Sequence, residues 1–180
     1  SQLCKFITTR KLKENFAITD LFVQPIHNLF VLTSSMDLLR QINIDLALRQ
    51  NLFLELTLTE KSKRRTRELY EFSKTNNLKI AAVHPAYFIK PDDYLLHKVV
   101  TAIKLNSTLE NLTGGMTADE EYHLKTRDEL IKEWRALPEA VWNAERIAQA
   151  CNVDLDIGRY KFPLFPLPPE ESAFSFLWKI

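Results

Sequence analysis

Three short apolar runs, separated by segments with helical spacing, limit what this chain can fold into more than any other feature. Residues 28–33 (NLFVLT), 52–58 (LFLELTL) and 79–83 (KIAAV) carry the β-branched, aromatic and aliphatic side chains that suit a buried, pleated surface. After the first run, Ser34-Ser35 offers hydroxyls that cap a helix whose inward positions are Met36, Leu38, Leu39 and Ile42. After the second, residues 60–74 read as a helix with Leu69 and Phe72 inward. Asn76-Asn77 ends it, because asparagine tolerates the left-handed backbone at a helix terminus. The order is β-α-β-α-β. Strands joined by helical crossovers run parallel, in an open sheet or a barrel, so the fold class is α/β.

Beyond the third run the pattern becomes helical. Pro91-Asp92-Asp93 puts proline at a first helical position and carboxylates where the helix dipole favours them. Leu95, Leu96, Val99, Val100 and Ile103 then continue a helix to about Leu105. Residues 106–122 contain Gly114-Gly115 and a small acidic group, and read as a loop. Thr126-Arg127-Asp128-Glu129 fits a capping box that opens a short helix through Trp134. Pro138 opens another, with Val141, Trp142, Ile147 and Ala148 on one side and Cys151-Asn152 near its end. Residues 162–169 (FPLFPLPP) hold Pro163, Pro166, Pro168 and Pro169, and proline cannot donate to a ladder, so an extended connector is expected there. The expected division is 1–161 as one unit and 162–180 as a connector with the start of a following module.

Composition narrows the function classes. Lys and Arg number 24 against 23 Asp and Glu, a formal net charge of +1, which excludes a nucleic-acid-binding field spread over the whole surface and leaves only local basic patches. With 46% hydrophobic residues and only 3 glycines, the chain is neither disordered nor collagen-like. A chain of 180 residues can bury roughly 70% of its unfolded surface without metal or disulfide staples. Cys4 and Cys151 lack a C-x-x-C spacing and read as reduced thiols of a cytoplasmic protein. No apolar run approaches the roughly 18 residues of a membrane span, and residues 1–10 lack the apolar segment of a signal peptide. Opening with Ser1-Gln2-Leu3 inside an amphipathic pattern suggests a piece of something longer.

Local signatures of catalysis are missing: there is no H-E-x-x-H, phosphate-binding glycine loop or nucleophile elbow. The best-placed polar residue is His84, directly after the third run, because parallel strands present ligand-binding groups at their C-terminal ends. Glu55, within the second run, faces the same region in this reading, so His84 and Glu55 are weak candidates for a metal site. The competing reading is a hydrogen-bonded histidine at a strand end and a glutamate paired with a cation. His97 reads as a partly buried, hydrogen-bonded side chain. The run Lys61, Lys63, Arg64, Arg65, Arg67 is the densest basic patch, and Lys63, Arg64 and Arg65 are its candidate phosphate contacts. A solvated helix face competes with that reading, since no aromatic residues are interleaved to stack bases. Trp134, Trp142 and Trp178 fall at helical apolar positions and read as core or interface packing.

Several segments, in order along nearly the whole chain, resemble the bacterial DNA polymerase III alpha subunits, particularly their error-prone branch. Residues 3–12 (LCKFITTRKL) are similar to the family's "LCRLITARHL", and residues 28–39 to "GLVVLTSDLPLL". Residues 52–56 (LFLEL) resemble "LYVEL", and residues 78–91 resemble "LPLVATNDVHYLRP" of the polymerase-and-histidinol-phosphatase (PHP) domain. His97 matches a histidine that follows the family's "PED". Residues 103–109 resemble "IALNTTL", residues 137–151 resemble "PEALANTVEIAERC", and residues 162–166 resemble "LPRFP", which leads out of the PHP domain.

The resemblance implies the C-terminal part of a PHP domain, an irregular barrel of parallel strands and helices that uses clustered histidines and acids to bind metals. The match departs from the family at the third strand end. The aspartate and histidine of "NDVH" align with Pro85 and Tyr87, while His84 takes the asparagine position. Pro85 offers no ligand, and a phenol with an unperturbed pKa near about 10 is a poor one at neutral pH. The family's H-x-H segment would lie upstream of Ser1, and its palm carboxylates, which hold Mg2+ for nucleotidyl transfer, downstream of Ile180. Expected, therefore, is an inactive scaffold with no cofactor of its own, within a DNA polymerase of replication or translesion synthesis. A metal-dependent phosphoesterase or exonuclease is the alternative. Expected partners are DNA and other polymerase subunits through the parent, a proofreading exonuclease and a second copy of the segment, with no membrane.

Overall fold

The computed structural model describes residues 2–23, 26–42, 44, 46–153, 157–158 and 166–179. Helix α1 (Gln2–Leu12) and a 3-10 turn (Ile18–Phe22) precede strand β1 (Val31–Thr33). Two short helices, α2 (Met36–Gln41) and α3 (Leu46–Asn51), cross over to β2 (Leu52–Leu56), and α4 (Lys63–Asn76) crosses over to β3 (Lys79–Ala82). A 3-10 turn (Pro91–Asp93) leads into α5 (Tyr94–Lys104), followed by α6 (Arg127–Glu133), α7 (Pro138–Ala150) and α8 (Ala173–Lys179). The expected β-α-β-α-β order is present, and the sheet runs β1-β2-β3 with both pairs parallel. The fold is mixed α/β around this small sheet.

Each strand is shorter than its apolar run. Asn28 adopts a φ of 55°, a left-handed turn that ends any extended backbone before Val31. Beyond Leu56, the hydroxyls of Ser62 and Thr66 both donate to the carbonyl of Thr57, the first at 2.6 Å, turning the chain into α4. Ser35 caps α2 as expected, its Oγ accepting from the Leu38 N–H at 3.3 Å. Asn77, with φ 50° and ψ 51°, closes α4 in the left-handed conformation. The Thr126 capping box is also formed: Thr126 Oγ1 accepts from the Glu129 N–H and the Glu129 carboxylate accepts from the Thr126 N–H at 2.7 Å.

Side chains alternate across β2. Leu52, Leu54 and Leu56, all fully buried, join Leu39, Leu69, Ile80 and Trp134 in the main core. Phe53 points to the opposite face, where it is fully buried beside Phe30 with the cationic groups of Lys79 and Arg146 over its ring. Helix α7 lies against β3, and the Asn143 amide donates to the Ile80 carbonyl at 2.8 Å, so a group on the outer edge of the sheet is satisfied by a side chain.

Several expectations are refined. Helix α3, within a segment given no element by its sequence pattern, packs against β2. Residues 106–122 contain turns but no helix or strand, as expected. Trp134 is buried, whereas Trp142 and Trp178 are 65% and 77% exposed and so contribute nothing to the core. On α7 the covered positions are Ala140, Val141, Asn143, Ala144 and Ile147, which rotates Trp142 and Ala148 outward. Of the proline-rich stretch, residues 162–165 lie outside the described residues, and Pro166, Leu167 and Pro168 have no regular structure. Cys4 and Cys151 are exposed and form no disulfide.

Candidate functional site

The three strands end together, and the residues that follow them line one cleft of about 370 Å3. Ser34 comes from the end of β1, Glu55 and Thr57 from β2 and the turn after it, Pro85 from the segment after β3, and Asp119 and Tyr122 from the long loop. Parallel topology produces this gathering, because crossover connections return each strand in the same sense. A second cleft, of about 650 Å3, adjoins it and shares Lys61, Asp119 and Tyr122.

The loop is held there by pairing that no local pattern announces. The Tyr87 N–H donates to the Tyr122 carbonyl at 2.8 Å and the Leu124 N–H to the Phe88 carbonyl at 2.9 Å, so Phe88 and His123 form an isolated parallel bridge. His84, half-buried, stands beside this bridge with its Nε2 2.7 Å from the His123 carbonyl oxygen. A carbonyl only accepts, so Nε2 carries the proton and donates. The His123 Nδ1 is buried without a hydrogen-bond partner. Tyr87 stacks on Tyr122, rings 6.0 Å apart and 19° from parallel, and its other neighbour is His97 at 5.8 Å. His97 Nε2 accepts from the Ala118 N–H at 3.0 Å, which ties α5 to the loop. The expected hydrogen-bonded role of His97 is what the geometry contains.

One ion pair anchors the boundary between the clefts. Lys61 Nζ lies 3.0 Å from Asp119 Oδ2, with the Asp119 side chain 9% exposed. Burial pushes the Asp119 carboxyl up, but the Glu121 N–H and the Lys61 ammonium together outweigh it and hold the carboxyl below its ordinary value. The hydrogen bond to Asp119 raises Lys61 in turn. Burial, and secondarily the Asp119 charge, raises the Tyr122 phenol, keeping it protonated and uncharged.

His84 Nε2 is committed to a carbonyl, and Pro85 and Tyr87 stand at the two positions where the resembled metal-binding segment has an acid and an imidazole. Among the described residues, no three His, Cys, Asp or Glu side chains converge in a way that could hold a metal ion.

The expected phosphate contacts separate on the structure. Lys63 pairs with Glu60, and Arg64 Nε lies 3.0 Å from Glu68 on the exposed face of α4. Arg65 instead donates to the Ser34 carbonyl at 2.8 Å and lines the strand-end cleft. Sequence reasoning missed Tyr122, His123 and Asp119. The small acidic group in the loop was visible, but nothing local tied it to β3.

No family model matches the chain. Curated relatives do, and they are named as DNA polymerases. A DNA polymerase III subunit alpha from Thermus aquaticus is 31% identical over an alignment that covers 82% of this chain and 13% of the relative. The chain is similar to a segment of the DNA polymerase III alpha subunit. A second such subunit, from Pseudomonas aeruginosa, is 32% identical over 51% of the chain and 8% of its own length. An error-prone DNA polymerase from Bradyrhizobium diazoefficiens is 29% identical over 62% of the chain and 10% of its own length, so both polymerase branches are represented. The chain spans about a tenth of the length of these polymerase relatives. Among the described residues no helix is long and apolar enough to cross a membrane.

Proposed function

We propose that this chain is a non-catalytic PHP-type scaffold segment of a DNA polymerase III alpha subunit, bracing the polymerase body in DNA replication or translesion synthesis. The observation that carries the reading is the end of β3. There Pro85 replaces a ligand with a ring that has no donor atom to offer, and the Tyr87 phenol stacks on Tyr122 beside His97. Aromatic packing occupies the place where the resembled family assembles metal ligands. The similarity to named polymerase subunits supports the parent activity, nucleotidyl transfer with Mg2+, whose carboxylates would belong to other parts of the parent. DNA, the other polymerase subunits and a proofreading exonuclease are the partners this reading implies.

Metal analysis and a phosphodiester hydrolysis assay on the purified chain test it together. The expected result is no stoichiometric zinc, manganese or iron and no hydrolysis above buffer. Stoichiometric metal that disappears in His84→Ala or Glu55→Gln, accompanied by metal-dependent hydrolysis, would overturn the scaffold reading in favour of a phosphoesterase.

A further inference from the structure

At the opposite end of the sheet, where β2 and β3 begin, lies a cleft of about 500 Å3 that the reading above leaves unused. Arg49 comes from α3, Lys74 from the last turn of α4 and Lys79 from the first position of β3. Arg146, from α7, stands beside Lys79: the two cationic groups lie 5.7 and 5.4 Å from the centre of the Phe53 ring. Against these four cations the cleft lining contains one carboxylate, Glu139, whose partner is Lys74 at 3.8 Å.

The remaining three are held in place by groups that carry no charge. Arg49 Nη1 donates to the carbonyls of Asn76 and Asn77, the latter at 3.0 Å, and Lys79 Nζ donates to the Gln50 carbonyl at 2.7 Å. Among the described residues, none of Arg49, Lys79 and Arg146 has a carboxylate partner within ion-pair distance. Burial, and secondarily the neighbouring Arg146 charge, holds the Lys79 amine below its ordinary value. The contrast with Lys61, Lys63 and Arg64 is direct, since each of those meets an acid of its own. Cations that are oriented by carbonyls and an aromatic face, but not neutralised, are poised to meet an external anion.

We propose that this cleft binds the phosphates of a DNA backbone. An open groove lined by cations from three elements, α3, α4 and β3, with Arg146 of α7 beside it, suits a chain of phosphodiesters better than one small anion. The choice of DNA over an acidic protein rests on the polymerase reading above. Nothing in the cleft reads bases, so binding is independent of sequence.

Fluorescence anisotropy of a short labelled duplex, titrated with the purified chain over a range of salt, tests the proposal. Affinity falls as salt rises, and Lys79→Gln or Arg146→Gln weakens it about fivefold each at about 0.15 M salt, with the log-log salt slope shallower by about one. Lys79→Arg retains the affinity, and Lys132→Gln, outside the cleft, leaves it unchanged. Circular dichroism melts matching the parent chain show that the variants are folded, and if one variant melts early the other still decides. Unaltered affinity and slope in both charge variants would overturn the proposal, as would polyglutamate competing more strongly than DNA, or inorganic phosphate binding without DNA binding. Primer extension by a polymerase carrying this segment judges the polymerase reading separately. The anisotropy result stands whichever way that assay falls.

Discussion

Asp119 illustrates how one residue in a long loop organises the strand-end cleft. Its carboxylate accepts from the Glu121 N–H at 3.1 Å and pairs with Lys61, which stands in the turn between β2 and α4, so it joins the loop to the sheet. Because folding lowers its pKa, the folded state gains stability from the ionised form above about pH 4, and loses that gain as pH falls through the depressed value. Asp119→Asn is therefore expected to lower the melting temperature at pH 7 on the order of a few degrees, with the difference from the parent closing under more acidic conditions. Melts recorded between neutral and acidic pH check this, and an equal difference at every pH would show that the charge is irrelevant. His84 and Tyr87 make the complementary point. Their identities were plain in the sequence, but the carbonyl that engages His84 and the ring that stacks on Tyr87 belong to residues 39 and 35 positions away.

At the scale of elements, local chemistry predicted most boundaries. Ser35, Asn77, Thr126 and Pro138 act within a turn of their own position, so their caps were legible without tertiary information. Helix α3 was not, because a helix of 6 residues has too few apolar repeats to stand out and depends on packing against β2. Helix α7 shows how an element can protect another. Its Asn143 supplies the donor that the Ile80 carbonyl lacks on the open side of β3. Asn143→Ala removes that donor and leaves a part-buried carbonyl to find water, with an expected loss of about 1–3 kcal/mol. Urea unfolding of the variant measures it, and an unchanged midpoint and slope would mean that water replaces the amide without cost.

The whole molecule displays more apolar surface than its small sheet requires. On α5, Leu96, Val100 and Ile103 follow one another at helical spacing and are 62%, 56% and 74% exposed, and only Ala102 of that helix is buried. Such a stripe favours association with a second copy, while α7 covers the open side of β3. Sedimentation velocity on the isolated chain is expected to show mass rising with concentration, and Leu96→Lys with Val100→Lys to return it toward the monomer. A chain that stays monomeric at high concentration would count against the idea. The sequence by itself determined the parallel α/β order, the helix caps and the presence of Pro85 and Tyr87 after β3, since each depends on residues adjacent in the chain. Only the tertiary structure decided that a distant loop bridges to Phe88 and donates the His84 carbonyl partner, that Trp142 and Trp178 face outward, and that the unneutralised cations gather where β2 and β3 begin rather than along α4. Those outcomes turn on long-range pairing and on the rotation of a helix against its sheet, which neither composition nor spacing encodes.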